Sequence, residues 1–491
     1  MELFVSLDIG TSSIRAMAIT KTGELLNVAT RIVPLAFPGP SQVEQDPTEI
    51  LWACIACLGE LETALGDNAK QVVALGITNQ RESVVAWDRA DQRILYPLIS
   101  WQDGRTHGDC ENLKKQLGNL DIKNITGLEL NPYFSATKIA WLSANNFLAT
   151  AKIPSVATLD AFIAWHLTGG QPDSRYITDS SNASRTLLMN LNTLSYDPLL
   201  LDFFETNAQW LPEIVPTAGN LLASIQGQLP FARTPISCLV GDQQASLFGN
   251  RCLSKGESKI THGTGTFFVT NIGQTRKQPR LEVLESVAWQ IKDQKVNYCL
   301  EGTIFSSGTV LRWLRDEIHL LDDYLDLDQV LKHTRTSDGV VFVPAFTGLG
   351  TPYWNRDVRA TIFGISSTTT PSHIIRAALE GICLRTQEVL DSIEQNLGEP
   401  VQKLVIDGGL TQSDQFCQLQ ADQLQRDLIR PNNIEATALG AAMLAGIGVD
   451  IIDETDFAST HLAHETFEAK SRPSVSQSRK TLWNRYLTRI I

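Results

Sequence analysis

L-V-G-D-Q-Q-A-S-L-F-G-N-R-C-L-S-K-G-E-S-K-I-T-H-G-T-G-T-F-F, from Leu239 to Phe268, decides how the rest of this chain is read. Ile236 to Val240 is an apolar strand. It runs into Gly241, then the acid Asp242, then two amides, Gln243 and Gln244. A short helix and a turn follow, and a second strand leads into His262-Gly263-Thr264-Gly265-Thr266. An acid at the carboxyl end of a strand reaches a ligand lying in a crevice. Small Gly and Thr residues at a turn let backbone N–H groups close around a phosphate. A base and a phosphate loop this close in sequence point to phosphoryl transfer to a hydroxyl. Taken alone, the same residues also fit an Asp that caps a helix and a hairpin of good turn formers.

The 491 residues suffice for at least two domains with full cores. A net charge of -13, with no Lys/Arg run, argues against a nucleic-acid partner. No apolar run approaches a membrane span, so no membrane partner is expected either. An acidic protein that handles ATP must neutralise phosphate locally, through N–H groups and a divalent ion. Eight scattered cysteines and a strand starting at Leu3 make the reducing cytoplasm the expected compartment. Cys54 and Cys57 lie within the helical apolar spacing of Leu51 to Leu65. They read as core, not as a zinc or redox pair.

Outward from the central stretch, small polar turns recur after apolar strands. Phe4 to Asp8 is a buried strand that opens into Ile9-Gly10-Thr11-Ser12-Ser13, and Arg15 to Thr20 returns from it. Such a turn holds phosphates through its N–H groups and a metal through Asp8. Asp407-Gly408-Gly409 is a third turn of this kind, with a helix from about Ser413. Two similar halves facing one cleft would explain the spacing. Val72 to Ile77 is a strand that delivers Arg81 and Glu82, donors and acceptors for neighbouring hydroxyls; the alternative is a surface ion pair. Trp101 and Tyr133 add aromatic faces with polar edges. Helices are expected at Glu49 to Leu65, Ser306 to Ile318, Ser372 to Leu397, Ala436 to Gly446 and Ser476 to Ile491. Leu211 to Pro216 reads as a loop. The small residues of Ala436 to Gly446 allow close approach to a neighbour or to a nucleotide.

The chain lacks the Walker A loop, the dinucleotide fingerprint and the protein-kinase motifs. Its own motifs are Asp8 to Arg15, Gly76 to Glu82, Trp101 to Asp103, Pro132 to Ser135, Gly241 to Gln244, His262 to Phe267, Pro344 to Trp354, Asp407 to Gly409 and Thr437 to Ala441. On these motifs, from about Phe4 to Val449, the chain resembles the FGGY family of carbohydrate kinases and, within it, the glycerol kinases. The resemblance implies an α/β fold of two ribonuclease-H-like domains, of the actin and hexokinase type, around an interdomain cleft. It implies a first domain over 1–250 and a second over 251–450, with a helical extension over 451–491.

It also implies ATP-dependent phosphorylation of glycerol to sn-glycerol 3-phosphate, with magnesium, in a chain that forms a dimer or tetramer. Asp242 matches the catalytic base. Arg81, Glu82, Tyr133, Asp242 and Gln243 match the glycerol-bonding set, and Trp101 and Phe267 the aromatic pair on its carbons. Thr11, Ser12, Ser13 and Arg15 match the first phosphate loop, and Thr264 the second. Gly308, Arg312, Gly409 and Ser413 match nucleotide contacts, and Asp8 the metal position. The chain departs from the pattern at Ile9 (usually Gln), Gly104 (commonly Arg), Arg312 (Gln) and Ser413 (Asn). None of these removes the base or the polyol set; they bear on nucleotide affinity and rate. Another small polyol or sugar as substrate, or a non-catalytic binding role, stays open at this point.

Overall fold

The computed structural model describes residues 2–278, 283–321, 327–432, 435–459 and 463–491. The expected duplication becomes visible in two mixed sheets. In the first, β1 (Leu3–Ile9), β2 (Ser13–Thr20) and β3 (Leu25–Ile32) form an antiparallel meander. β4 (Val72–Asn79) runs parallel to β1. After an edge strand, β5 (Ala218–Ser224), β6 (Pro235–Gly241) runs parallel to β4. The order is β5-β6-β4-β1-β2-β3.

The second sheet holds β7 (Glu257–His262), β8 (Thr266–Gly273), β9 (Leu284–Trp289), β10 (Asn297–Ile304), β11 (Lys403–Asp407), β12 (Leu428–Pro431) and β13 (His464–Phe467). β7, β8 and β10 are antiparallel in turn; β11 runs parallel to β7 and β12 parallel to β11. The order is β9-β10-β8-β7-β11-β12-β13. With the edge strands β5, β9 and β13 set aside, each half reads third, second, first, fourth, fifth. The sequence alone could not show this, because the halves share topology rather than residues.

Helices close both faces. α1 (Pro47–Leu65) starts where Asp46 accepts a hydrogen bond from the Thr48 N–H, with Pro47 in the first turn. It buries Ile50, Cys54, Cys57, Leu58 and Leu61. α2 (Ser135–Ala144) and α3 (Ser180–Ala183) belong to the segment between β4 and β5. Strands of that segment, Ile94–Ile99, Val84–Asp88 and Pro154–Ala157, form a small sheet joined by Glu44–Gln45 from ahead of α1. α4 (Asp242–Gly249) follows β6, and α5 (Gly308–Asp316) follows β10. α6 (Pro371–Leu397) opens on a capping box in which Thr370 and His373 bond each other's backbone. α7 (Asp414–Leu424) is capped by Ser413. α8 (Ala436–Gly448) and α9 (Pro473–Leu487) complete the set.

Two expectations need correction, and a third, left with two alternatives, is decided. The 451–491 segment is not only helical, because β13 forms the sheet edge by pairing with β12. The stretch from Leu211 to Pro216 is not all loop, since Glu213–Val215 pairs in parallel with Ile177–Asp179. The small residues of α8 allow close approach to a neighbour, α4 and the first sheet, and not to a nucleotide: none of them lines the larger cavity of the site. Among the described residues no helix is long and apolar enough to cross a membrane.

α4 and α8, the helices after the fifth strand of each half, cross at two glycines. A Cβ on Gly440 would lie 1.9 Å from the Ala245 carbonyl oxygen, and one on Gly249 would lie 1.9 Å from that of Ala436. Leu247 and Phe248 of α4 and Ala438 to Ala445 of α8 share one core with Phe4 and Val240 of the first sheet and Val269 and Val405 of the second. Helix propensity alone favours Gly440→Ala by about 1 kcal/mol. The steric conflict is with backbone and outweighs that gain; overpacking costs about 1–3 kcal/mol. Gly440→Ala is therefore expected to lower the thermal unfolding midpoint, measured by calorimetry. An unchanged or raised midpoint would contradict the crossing as described.

Candidate active site

β4 delivers its carboxyl end into a turn carrying Gln80, Arg81 and Glu82. Glu82 adopts a left-handed backbone with φ 63°, which costs a non-glycine residue about 1–2 kcal/mol and is tolerated where the surroundings enforce it. Arg81 and Glu82 are not a surface ion pair: both are buried. Arg81 donates to Glu301 from Nη1 at 2.7 Å and Nη2 at 3.1 Å, and to Gln244 Oε1 at 3.2 Å. Its Nε lies 3.2 Å from Asp242 Oδ1, without the alignment of a hydrogen bond. Arg185 donates to Glu82 at 2.6 Å and to Glu301 at 3.1 Å. Two guanidiniums and two carboxylates thus share one buried cluster. Burial alone would raise the Glu301 carboxyl; Arg185 and Arg81 override it and hold it at about 2. Burial raises the Glu82 carboxyl, against the pull of Arg81 and Arg185.

Arg81, Glu82, Trp101, Tyr133, Asp242, Gln243 and Phe267 line one cavity of about 190 Å³. The ring of Trp101 stands edge-on to Tyr133 at 5.7 Å and to Phe267 at 6.2 Å. Its indole N–H donates to Thr11 Oγ1 at 2.9 Å. Thr11 donates on to Gln80 at 3.3 Å, and Gln45 donates to the Thr11 carbonyl at 3.0 Å. The first glycine turn is thereby tied to the wall of the cavity. Beneath Tyr133, buried Lys138 donates to the carbonyls of Pro132, Tyr133 and Phe134 at 2.8, 2.7 and 3.3 Å.

Asp242 opens α4 and is 30% exposed. Gln243 donates to it from its backbone at 2.8 Å and its side chain at 3.2 Å. Lys259 in turn donates to Gln243 Oε1 and, at 2.7 Å, to Thr261. α3 fixes the two strand ends. Asp179 caps it through the N–H groups of Ser181 and Asn182. Asn182 exchanges amide hydrogen bonds with Asn79 at 3.1 Å each way, and Gly241 N–H donates to Ser181 Oγ at 2.9 Å.

A second cavity, of about 400 Å³, adjoins the first. Gly308 and Arg312 of α5 line it, with Gly409, Ser413 and Asp328 opposite. Ser413 donates to Asp328 and accepts from Phe416 N–H, so its hydroxyl is already committed. Both cavities include Gly263 and Thr264. Neighbouring His262 is buried, bonds Thr266 and Gln420, and is pushed down to about 4 by burial, so it is neutral.

The remaining site candidates lie around the first turn. Ser12 is exposed, Ser13 opens β2, and Arg15 pairs with Glu435 at 2.9 Å just before α8. None of the three lines either cavity. Asp8, one residue before the end of β1, has its carboxyl raised to about 7, by burial first and Asp242 next, with Arg15 opposing and Glu435 adding. Of the departures, Ile9 is buried in the apolar core. At Gly104 the guanidinium of Arg356, from the other half, comes to 4.0 Å of where a Cβ would stand. Sequence reasoning missed Arg185, Glu301 and Lys259. Their signal was a lone charge in an apolar strand pattern, Tyr298-Cys-Leu-Glu301 and Ser258-Lys-Ile260, or directly after a short helix.

The model of the FGGY family of carbohydrate kinases matches residues 3–249 with its N-terminal domain and 258–449 with its C-terminal domain. The glycerol kinase of Acinetobacter baylyi is 37% identical over 494 aligned residues, covering 100% of this chain and 99% of its own. That of Bacillus subtilis is 38% identical over 454 residues, covering 91% of each chain. The crystal structure of Plasmodium falciparum glycerol kinase with ADP superposes with a TM-score of 0.92 at 31% identity, covering 100% of this chain and 98% of that one. A xylulose kinase from Lactobacillus acidophilus shares the fold at a TM-score of 0.84 and 20% identity. With both domain models matched in order along almost the whole length, the chain belongs to the FGGY family of carbohydrate kinases.

Proposed function

We propose that this protein transfers the γ-phosphoryl group of ATP to a terminal hydroxyl of glycerol, giving ADP and sn-glycerol 3-phosphate. The observation that carries this reading is the meeting of two cavities at one glycine turn. The smaller holds hydroxyl-bonding groups and a carboxylate; the larger is of a size for a nucleotide. The full-length likeness to glycerol kinases supports the choice of substrate. The polar handles left in the smaller cavity are few. Glu82 has one oxygen not engaged by Arg185, Arg81 has its Nε, and Tyr133 has its hydroxyl. Aromatic walls close around them, which suits a three-carbon polyol.

In this reading Asp242 is the general base. It accepts the proton of the attacking hydroxyl while Arg81 and Gln243 hold its carboxylate in place. Most of the rate comes from alignment and charge neutralisation, because phosphoryl transfer has a loose transition state. N–H groups of the first turn beyond Gly10, and of Thr264 and Gly265, take the phosphates; those of Gly10 and Gly263 already donate to the carbonyls of Ser13 and Gly265. Magnesium fits the residues present. Asp8 would hold it: its carboxyl is raised by burial first and by the neighbouring Asp242 next, a balance a cation would reverse. Magnesium is commonly held by one or two carboxylates together with phosphate oxygens and water, and no cluster of three such groups occurs among the described residues. When bound, the ion neutralises the phosphates. The same reading divides the chain at about 250 and 450, with α8 crossing back onto the first half. All eight cysteines are free and buried, which supports a reducing compartment.

Two outcomes are expected. Across a polyol panel with radiolabelled ATP, kcat/KM for glycerol exceeds that for erythritol and xylulose by at least about tenfold; a higher value for either larger substrate sinks the three-carbon assignment. Asp242→Asn keeps the shape but cannot take the proton, so kcat falls by about 10²–10⁴. ADP binding by calorimetry persists, because other residues form that cavity. Near-normal kcat in this variant would show that Asp242 is not the base. Loss of ADP binding would assign it to the fold or the metal instead.

A further inference from the structure

We propose that Glu301, with Arg185, is a positioning residue that couples the polyol cavity to the nucleotide cavity. The inference rests on the reading of Arg81 and Glu82 as polyol contacts. Glu301 lies in the second half, on β10, yet its two oxygens take both terminal nitrogens of Arg81 from the first half. A bidentate pair fixes the plane of a guanidinium as well as its place. That plane decides where Arg81 Nε, the donor left over, is aimed. Arg185 completes the frame. It bonds Glu82 and Glu301, and its guanidinium lies over the rings of Phe134 at 5.2 Å and Tyr133 at 5.9 Å. Neither Arg185 nor Glu301 lines the cavity. They act through residues that do.

The strand that carries Glu301 also carries the other site. β10 runs beside β8, with Thr303 opposite Phe267 and Glu301 opposite Val269. It leads within a few residues into α5. There Ser307 N–H donates to the Thr264 carbonyl at 3.0 Å and Gly308 N–H to that of Gly263 at 2.9 Å. Gly308 lines the nucleotide cavity, and Gly263 and Thr264 line both. A polyol that draws on Arg81 therefore bears on β10, and β10 bears on the turn that receives the phosphates. Beside the cavity, Arg81 and Arg185 of the first half converge on one carboxylate of the second. Coupling of this kind is a binding free energy shared by two ligands, and it is reciprocal.

The test compares wild type with Arg185→Met, Glu301→Gln and the double variant. Each single change unbalances a buried cluster of two cations and two anions. The double change leaves Arg81 facing Glu82 and restores the balance, so it is the informative protein; the singles are expected to lower the unfolding midpoint and the double to regain much of it. ADP affinity is measured by calorimetry with and without saturating glycerol. In wild type glycerol is expected to tighten ADP at least about fivefold. In the double variant ADP alone binds as in wild type, glycerol KM rises about tenfold or more, and the tightening shrinks to less than about twofold. Retained glycerol KM and retained tightening in the folded double variant overturn the proposal. So does a wild type in which glycerol leaves ADP affinity unchanged, or a double variant whose only defect is weaker ADP. If the panel shows another polyol to be the substrate, the three-carbon reading fails. The same comparison, made with that polyol, still decides the coupling.

Discussion

Gly249 and Gly440 set the distance between the halves of this molecule. Each stands where a side chain would overlap the other helix's backbone carbonyl, at 1.9 Å in both directions. Ridges of side chains ordinarily keep helix axes about 8–10 Å apart; here the absence of side chains brings backbone to backbone. What depends on this is the site. α4 begins with Asp242, so its position fixes the carboxylate. α8 packs on the first sheet although its sequence follows the last parallel strand of the second. Each half therefore contributes a helix to a core that belongs to both, and the cleft lies beside that shared core.

The second constraint is charge. Two guanidiniums and two carboxylates from two halves are buried together, Arg81 and Glu82 at the wall of the smaller cavity and Arg185 and Glu301 behind them. A buried ion pair seldom adds net stability over an apolar packing of the same volume, whereas breaking one costs about 3–5 kcal/mol. The cluster is understood better as orientation than as cohesion. It holds Arg81 in one plane, leaves Glu82 one unengaged oxygen, and makes both conditional on the second half being in place. The left-handed backbone of Glu82 is held from two sides: its carboxylate accepts from Arg185 and its carbonyl from the Ser135 hydroxyl at 3.1 Å.

Much of the site was legible in the sequence because its residues sit at strand ends, where local pattern changes from apolar to small and polar. Asp242 after Val240-Gly241, Arg81-Glu82 after Val72 to Ile77, and Thr264 between two strands each announce themselves within ten residues. The aromatic residues Trp101, Tyr133 and Phe267 were less distinctive singly, since an aromatic ring in a globular chain is more often core. Trp101 follows the small sheet, Tyr133 precedes α2 and Phe267 lies on β8 of the second sheet, so no local signal orders their meeting over one cavity.

The sequence by itself determined the apolar strands, the glycine turns, the helix caps such as Asp46-Pro47 and Thr370 with His373, and the acid at the end of β6. Each is set by neighbours within a few positions. Only the tertiary structure decided that the halves share one strand order, that α8 crosses onto the other half, and that Glu301 answers Arg81 across 220 residues of chain. The physical reason is that a buried charge takes whichever partner the fold brings within hydrogen-bond reach. In sequence, Glu82 stood nearest to Arg81. In space, its Oε1 lies 3.7 Å from Arg81 Nε, and Glu301 accepts the guanidinium at 2.7 Å.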